Sequence, residues 1–461
     1  MSETIDGLPF WQLTFDEQGE TDGQATDTFM AEVQAQQVTD LVLFSHGWNN
    51  NQDVAMALYQ GWFGQLAPQL QYAVTDRRVS VGLVGIFWPS QRWSDEPIPD
   101  FAAAPAAATF EGDAAAIPDR TDTVAVVTPD LDQATLETLK GAFPAGSAQL
   151  DRMSQLLAAT PTDEAVTEFM QQLQQFATAT SVGHDDGESA GDVPAGAPRM
   201  LQDDPRDLFG RYCAALRDSG VALAAQGQGE ASIGDSFKGI WNGAKEALRQ
   251  LTYWQMKNRA GVVGQAGLGP LLGRLHSAAP DVRFHLVGHS FGARVVSYAL
   301  AGLPEGLEPS PVKAVTLLQG AFSHFAFADA LPVDTARKGA LAGMLTRIDG
   351  PLAVCFSSHD GAVGRFYPLA SIAAGDDTSA AEDRFYRWGG MGHDGAQGVD
   401  AAVDSLRGSG PAVSYPFADG QALNIDASDV VCHGNSPAGA HSDIVHPELT
   451  WVVLTAGRIA T

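Results

Sequence analysis

Three apolar runs stand out along the chain, each followed by a turn and then by a helical pattern: Asp40–Ser45, Val79–Trp88 and Val282–Val287. Two shorter ones follow, Val315–Leu318 and Leu352–Phe356. Strands that are apolar without alternation have both faces covered, and strands alternating with helices predict a mostly parallel sheet with helices on both sides. The fold class expected is therefore α/β.

Between the second and third runs the pattern changes. Residues 95–240 are rich in Ala, Pro and Gln, and carry 24 acidic against 8 basic residues. Part of this insertion reads as helix. Thr160-Pro161-Thr162-Asp163 predicts an N-cap, a proline at the first helical position and an acidic third residue. Val166, Phe169, Met170, Leu173 and Phe176 then recur at helical spacing and predict one apolar stripe. Phe101–Pro118 and Ser181–Pro198 read as loose. A lid, a surface for a protein partner and plain elaboration all fit such an insertion.

Composition adds size and charge. At about 150 residues per domain, 461 residues suggest roughly three units. The run pattern reduces these to one core, residues 1–94 and 241–461, plus the insertion. Apolar residues make up 45% and charged residues 18%, enough for a large core and incompatible with global disorder. The net charge of −28, with lysines scattered singly, excludes a nucleic-acid binder that neutralises phosphates and disfavours anionic membranes. The insertion contributes −16 of that −28, so the acidity says little about a site in the core. No run reaches the ~18 apolar residues of a membrane span. Met1–Gln12 carries Glu3 and Asp6 and reads as no signal peptide, so a cytoplasmic location is expected. Cys213, Cys355 and Cys432 show no CxxC spacing and fit free thiols; no metal site or cofactor is expected.

Gly-x-Ser-x-Gly occurs twice. Gly187-Glu188-Ser189-Ala190-Gly191 lies in a polar stretch rich in glycine and proline, with no strand before it, and reads as coincidence. Gly288-His289-Ser290-Phe291-Gly292 follows the run Val282–Val287 and leads into the helical pattern Ala293–Leu300. A strand, a sharp turn and a helix are the setting of a nucleophile elbow. There the serine takes a strained conformation, flanking glycines let strand and helix converge, and a helix N-terminus faces the developing charge.

These residues resemble the α/β-hydrolase superfamily, and in particular serine hydrolases with a His-Gly-Trp-Asn loop, here His46-Gly47-Trp48-Asn49. The resemblance covers about Asp40–Ser94 and Ile240–Ile459. It implies an eight-stranded, mostly parallel sheet and a chain order of serine, acid, histidine. It further implies an oxyanion hole made by the backbone N–H groups of Trp48 and Phe291. Asp360, at the end of the run Leu352–Phe356, matches the family's acid, with Asp329 and Asp334 as rivals. His441, before the last helical pattern, matches its base, with His446 second; His393 and His433 lie among glycines.

These roles predict a Ser290-Asp360-His441 triad acting through an acyl-enzyme on a small-molecule ester or acyl substrate. His46, Asn49, Trp88, Arg92, Trp93 and His289 are pocket candidates. For the His46 side chain, fastening the loop backbone is the preferred reading. Arg92 could pair a substrate carboxylate. Trp241, Tyr253 and Trp254 form an apolar wall or plain core. Ester hydrolysis, lipase-like if the insertion is a lid, is the leading expectation. Acyl transfer on amides, thioesters or an acceptor alcohol is the alternative, and a non-catalytic binding module the third. The oligomeric state is left open.

Overall fold

The five apolar runs all become neighbouring strands of one sheet. The computed structural model describes residues 3–90, 93, 128–180, 199–218, 239–332, 334–366, 386, 389–434 and 438–461. In chain order the strands are β1 (Glu3–Ile5), β2 (Leu8–Thr14), β3 (Asp40–Ser45), β4 (Val81–Phe87), β5 (Arg283–His289), β6 (Val312–Leu318), β7 (Leu352–Phe356), β8 (Ala401–Ser405) and β9 (Ala422–Asp426). They lie in the order β1-β2-β4-β3-β5-β6-β7-β9-β8. Every neighbouring pair is parallel except β1 with β2.

Nine strands replace the eight implied by the family resemblance. The strands without an apolar run in the sequence lie toward the margins. β1 and β2 form a hairpin through Asp6 and Gly7, both at positive φ, as a two-residue hairpin turn requires. β2 mixes buried and exposed positions, and the edge strand β8 is mostly exposed, so neither carries a continuous apolar run.

The sheet separates two apolar layers. Helices Gly23–Ala35, Ile240–Val262, Gly269–Ala278 and Phe291–Gly302 bury their apolar residues on one face. Helices Gln52–Leu66 and Pro447–Ala456 cover the other. In the insertion, the helix Asp163–Ala179 buries Val166, Phe169, Met170, Leu173 and Phe176. Its N-cap is Thr162, whose side chain accepts from the Ala165 N–H, so the cap falls two residues after Thr160 and Pro161 precedes the helix. The insertion's described helices share the apolar cluster of the first layer and have no detached core. The helix Ile240–Val262 is their platform. A Cβ on Gly243 would stand 1.8 Å from the Phe209 carbonyl oxygen, so only glycine permits that crossing. Phe101–Pro118, Ser181–Pro198, the first Gly-x-Ser-x-Gly and Arg92 lie outside the described residues. Among the described residues no helix is long and apolar enough to cross a membrane.

At the end of the sheet opposite Ser290, the buried Asp40 gathers Arg77 (2.6 and 2.9 Å), Arg283 (3.2 Å) and His285 Nε2 (2.9 Å). Arg77 and Arg283 also donate to the carbonyls of Arg458 and Gly457, which ties the chain after the last helix to the central strands. Burial alone would raise the Asp40 carboxyl, but the bonds from His285 and Arg77 outweigh it and hold it well below the usual carboxylate range. Burial pushes His285 down, so the arginines carry the compensating charge. Because the folded carboxyl is depressed, its stabilisation is complete above the unfolded value, about 4, and is lost as pH falls below it. Asp40→Ala leaves the arginines without their buried counter-charge and should lower the unfolding free energy by about 3–5 kcal/mol at pH 7. Urea denaturation measures this, and the gap to wild type should narrow below pH ~4.

Candidate active site

Gly288 and Gly292 let three backbones meet at Ser290. A Cβ on Gly292 would stand 1.9 Å from the Ser45 carbonyl oxygen, and one on Gly288 2.4 Å from that of Gly292. Ser290 sits between them at φ 56° and ψ −122°, a conformation that costs a non-glycine residue about 1–3 kcal/mol. Neighbouring strands hold it there. Its N–H donates to the Leu318 carbonyl (3.1 Å), and its carbonyl accepts from Ala293 (3.1 Å) and Ala321 (3.2 Å).

The turn delivers the Ser290 hydroxyl to His441. Ser290 Oγ lies 2.9 Å from His441 Nε2, and His441 Nδ1 lies 2.8 Å from Asp360 Oδ2. Asp360 and His441 are almost wholly buried. The second Asp360 oxygen accepts from the Val363 N–H (2.9 Å), so the carboxylate is held at both ends. The loops carrying acid and base are laced together: Ala440 N–H donates to the His359 carbonyl (2.8 Å) and Ala362 N–H to that of Ala438 (3.0 Å). Gly439, at φ +61°, makes room, since a Cβ there would reach the His359 oxygen at 2.1 Å.

No protein-family model, curated protein or solved structure matches the chain.

The loop after β3 lies against the serine. A Cβ on Gly47 would stand 2.6 Å from Ser290 Cβ and 3.1 Å from its Oγ. Asn50, which sequence reasoning missed, clamps this loop from inside through its amide, which donates to the carbonyls of Trp48 (2.7 Å) and Gly47 (3.1 Å). The run Asn49-Asn50-Asn51 was the available signal, because short amide side chains commonly bond nearby backbone. Among the described residues, no backbone acceptor takes the N–H of Trp48 or of Phe291.

The remaining candidates divide. His46 holds the loop: its N–H donates to Tyr59 Oη (3.1 Å), its Nδ1 bonds the Gly47 carbonyl (2.9 Å), and its ring stacks on Trp88. Burial pushes its pKa down to about 4, so it is neutral at pH 7. Trp88 Nε1 donates to the His46 carbonyl, and Asn49 accepts from the Trp93 N–H. Trp93 is buried beneath Arg249. Trp88, Trp93, Trp241 and Trp254 are thus core and buttress. Tyr253 differs: its ring stands 4.8 Å from that of Phe291, the residue after Ser290, and 5.2 Å from Trp48, forming an aromatic cluster with them. His289, directly before Ser290, bonds the main chain of His441 (2.8 Å).

The rival acids and bases go elsewhere. Asp329 and Asp334 are exposed. His446 Nε2 bonds Asp443 (2.8 Å), a contact that outweighs burial and raises its pKa. His433 is exposed, and His393 lies in the helical turn Met391–Asp394.

Gly292→Ala should destabilise the fold by about 3 kcal/mol or more, beyond ordinary overpacking, because the contact is with backbone. The helix glycine Gly141, whose Cβ would meet nothing within 4 Å, serves as the contrast. Gly141→Ala should leave stability unchanged or raise it by about 0.5 kcal/mol. Equal shifts in the urea midpoints would show that the crossing is not tight.

Proposed function

We propose that this chain is a serine hydrolase of the α/β-hydrolase superfamily that cleaves carboxylic esters through an acyl-enzyme. The observation that carries this reading is the buried chain from Ser290 Oγ through His441 to Asp360, at 2.9 and 2.8 Å.

With Nδ1 engaged by Asp360, His441 presents Nε2 as the base toward the Ser290 hydroxyl. As Oγ attacks the substrate carbonyl, Nε2 takes its proton, and Asp360 stabilises the imidazolium that forms. The carbonyl oxygen becomes an oxyanion beside the N–H groups of Trp48 and Phe291. Preorganised donors at that point commonly lower the barrier by about 3–4 kcal/mol each. The tetrahedral intermediate collapses, His441 returns the proton to the departing alcohol, and Ser290 keeps the acyl group. Water, deprotonated by His441, then attacks the acyl-enzyme; the bond to Ser290 Oγ breaks, His441 returns the proton to that oxygen, and the acid is released. The aromatic cluster of Trp48, Tyr253 and Phe291 supports an apolar group next to the scissile carbonyl, in keeping with ester rather than highly charged substrates.

A fluorophosphonate probe should label the protein once, at Ser290, and Ser290→Ala should abolish both labelling and hydrolysis of p-nitrophenyl esters. Asp360→Asn should lower kcat by on the order of 10³–10⁴ with little change in KM, because the base loses its orientation. A wild type that takes no label, or a Ser290→Ala variant labelled equally, would sink the proposal.

A further inference from the structure

His289 fills a position that the Gly-x-Ser-x-Gly pattern leaves free, yet its side chain is buried and aimed at the base. It is the last residue of β5, and its Nε2 lies 2.8 Å from the main-chain carbonyl oxygen of His441. The two imidazoles stand 5.0 Å apart, tilted by 43°. We infer that His289 is a positioning residue, whose Nε2–H holds the His441 carbonyl and so fixes where the His441 ring stands over Ser290. This rests on the triad reading above.

The geometry makes the coupling short. His289 ends β5 and Ser290 follows it directly in the turn, so one tightly held segment carries the proposed nucleophile and also grips the backbone of the proposed base. The Asp360 bond at the His441 ring and the Ala440–His359 bond beside it lead to the β7 side. The His289 bond instead refers the backbone of the base to the end of β5, next to the serine that its ring faces. A displacement of about 1 Å between reacting groups costs on the order of 100-fold in rate, so this reference matters.

Electrostatics fits the same role. Burial, with His441 and His46 facing it, pushes His289 well below its ordinary range. It therefore stays neutral while His441 gains a proton, and donates without placing a second charge beside the imidazolium.

The test compares His289→Phe, which removes the donor, with His289→Gln, whose Nε2–H reaches a similar point. Phe should lower kcat and the fluorophosphonate labelling rate by about 10–100-fold, with KM changed less than about twofold. Gln should recover most of that loss. If Phe abolishes cooperative melting, His289→Leu carries the same comparison. Wild type labelled at Ser290, with Phe or Leu within twofold of it, overturns the positioning role alone. Equal losses in the apolar and Gln variants also overturn it. A wild type that takes no label overturns the triad reading and this inference together.

Discussion

The site depends on how closely three backbones approach one another at Ser290: the end of β5, the start of the helix Phe291–Gly302, and the loop after β3. Gly292 meets Ser45, Gly288 meets Gly292, and Gly47 meets Ser290, each at a separation that a single added carbon would violate. The strain at Ser290 is held by backbone bonds from the β6 strand and the loop that follows it, so it can persist in a stable fold. From this crossing come the direction of the hydroxyl toward His441, the helix N-terminus behind it and the N–H groups of the neighbouring loop.

The partners of Ser290 are brought in from distant parts of the chain by the same economy of backbone contact. Asp360 and His441 lie 81 residues apart, yet their loops bond each other directly through His359, Ala362, Ala438 and Ala440. Burial then does the electrostatic sorting. It keeps His46 and His289 neutral, free to serve as fixed donors, beside a histidine that faces both a carboxylate and a hydroxyl. At the far end of the sheet the opposite arrangement holds. Asp40 stays ionised because His285 and the arginines reach it, and it ties together the end of the sheet away from Ser290.

Much of this was legible in the sequence because the central strands are apolar on both faces. The run Asp40–Ser45 coincides with β3, and the other runs fall on β4 to β7 within a few residues. Strands toward the sheet margins escaped notice: β2 and β8 are partly exposed and carry no continuous run, the buried β9 is interrupted by Asn424, and the hairpin signal, Asp6-Gly7, is only two residues long. The cap at Thr160 was displaced to Thr162 because two hydroxyl residues flank Pro161 and local pattern cannot choose between them. The acidic insertion read as a separate piece by composition. Its described helices nevertheless bury their stripes in the common core, because amphipathic helices need an apolar face to lie on and the helix Ile240–Val262 supplies it.

The sequence by itself determined the five central strands and the position of the elbow at Ser290, whereas Asp360 and His441 came from the family resemblance. The strands and the elbow follow from local periodicity and from glycines placed where backbones must cross. Tertiary structure alone decided which side chains work together. It paired His446 with Asp443 and His441 with Ser290, turned Trp93 into core and packed Tyr253 on Phe291 and Trp48, and set Asn50 and His289 to hold the backbone. Such choices depend on distances between segments far apart in the chain, which no local pattern encodes.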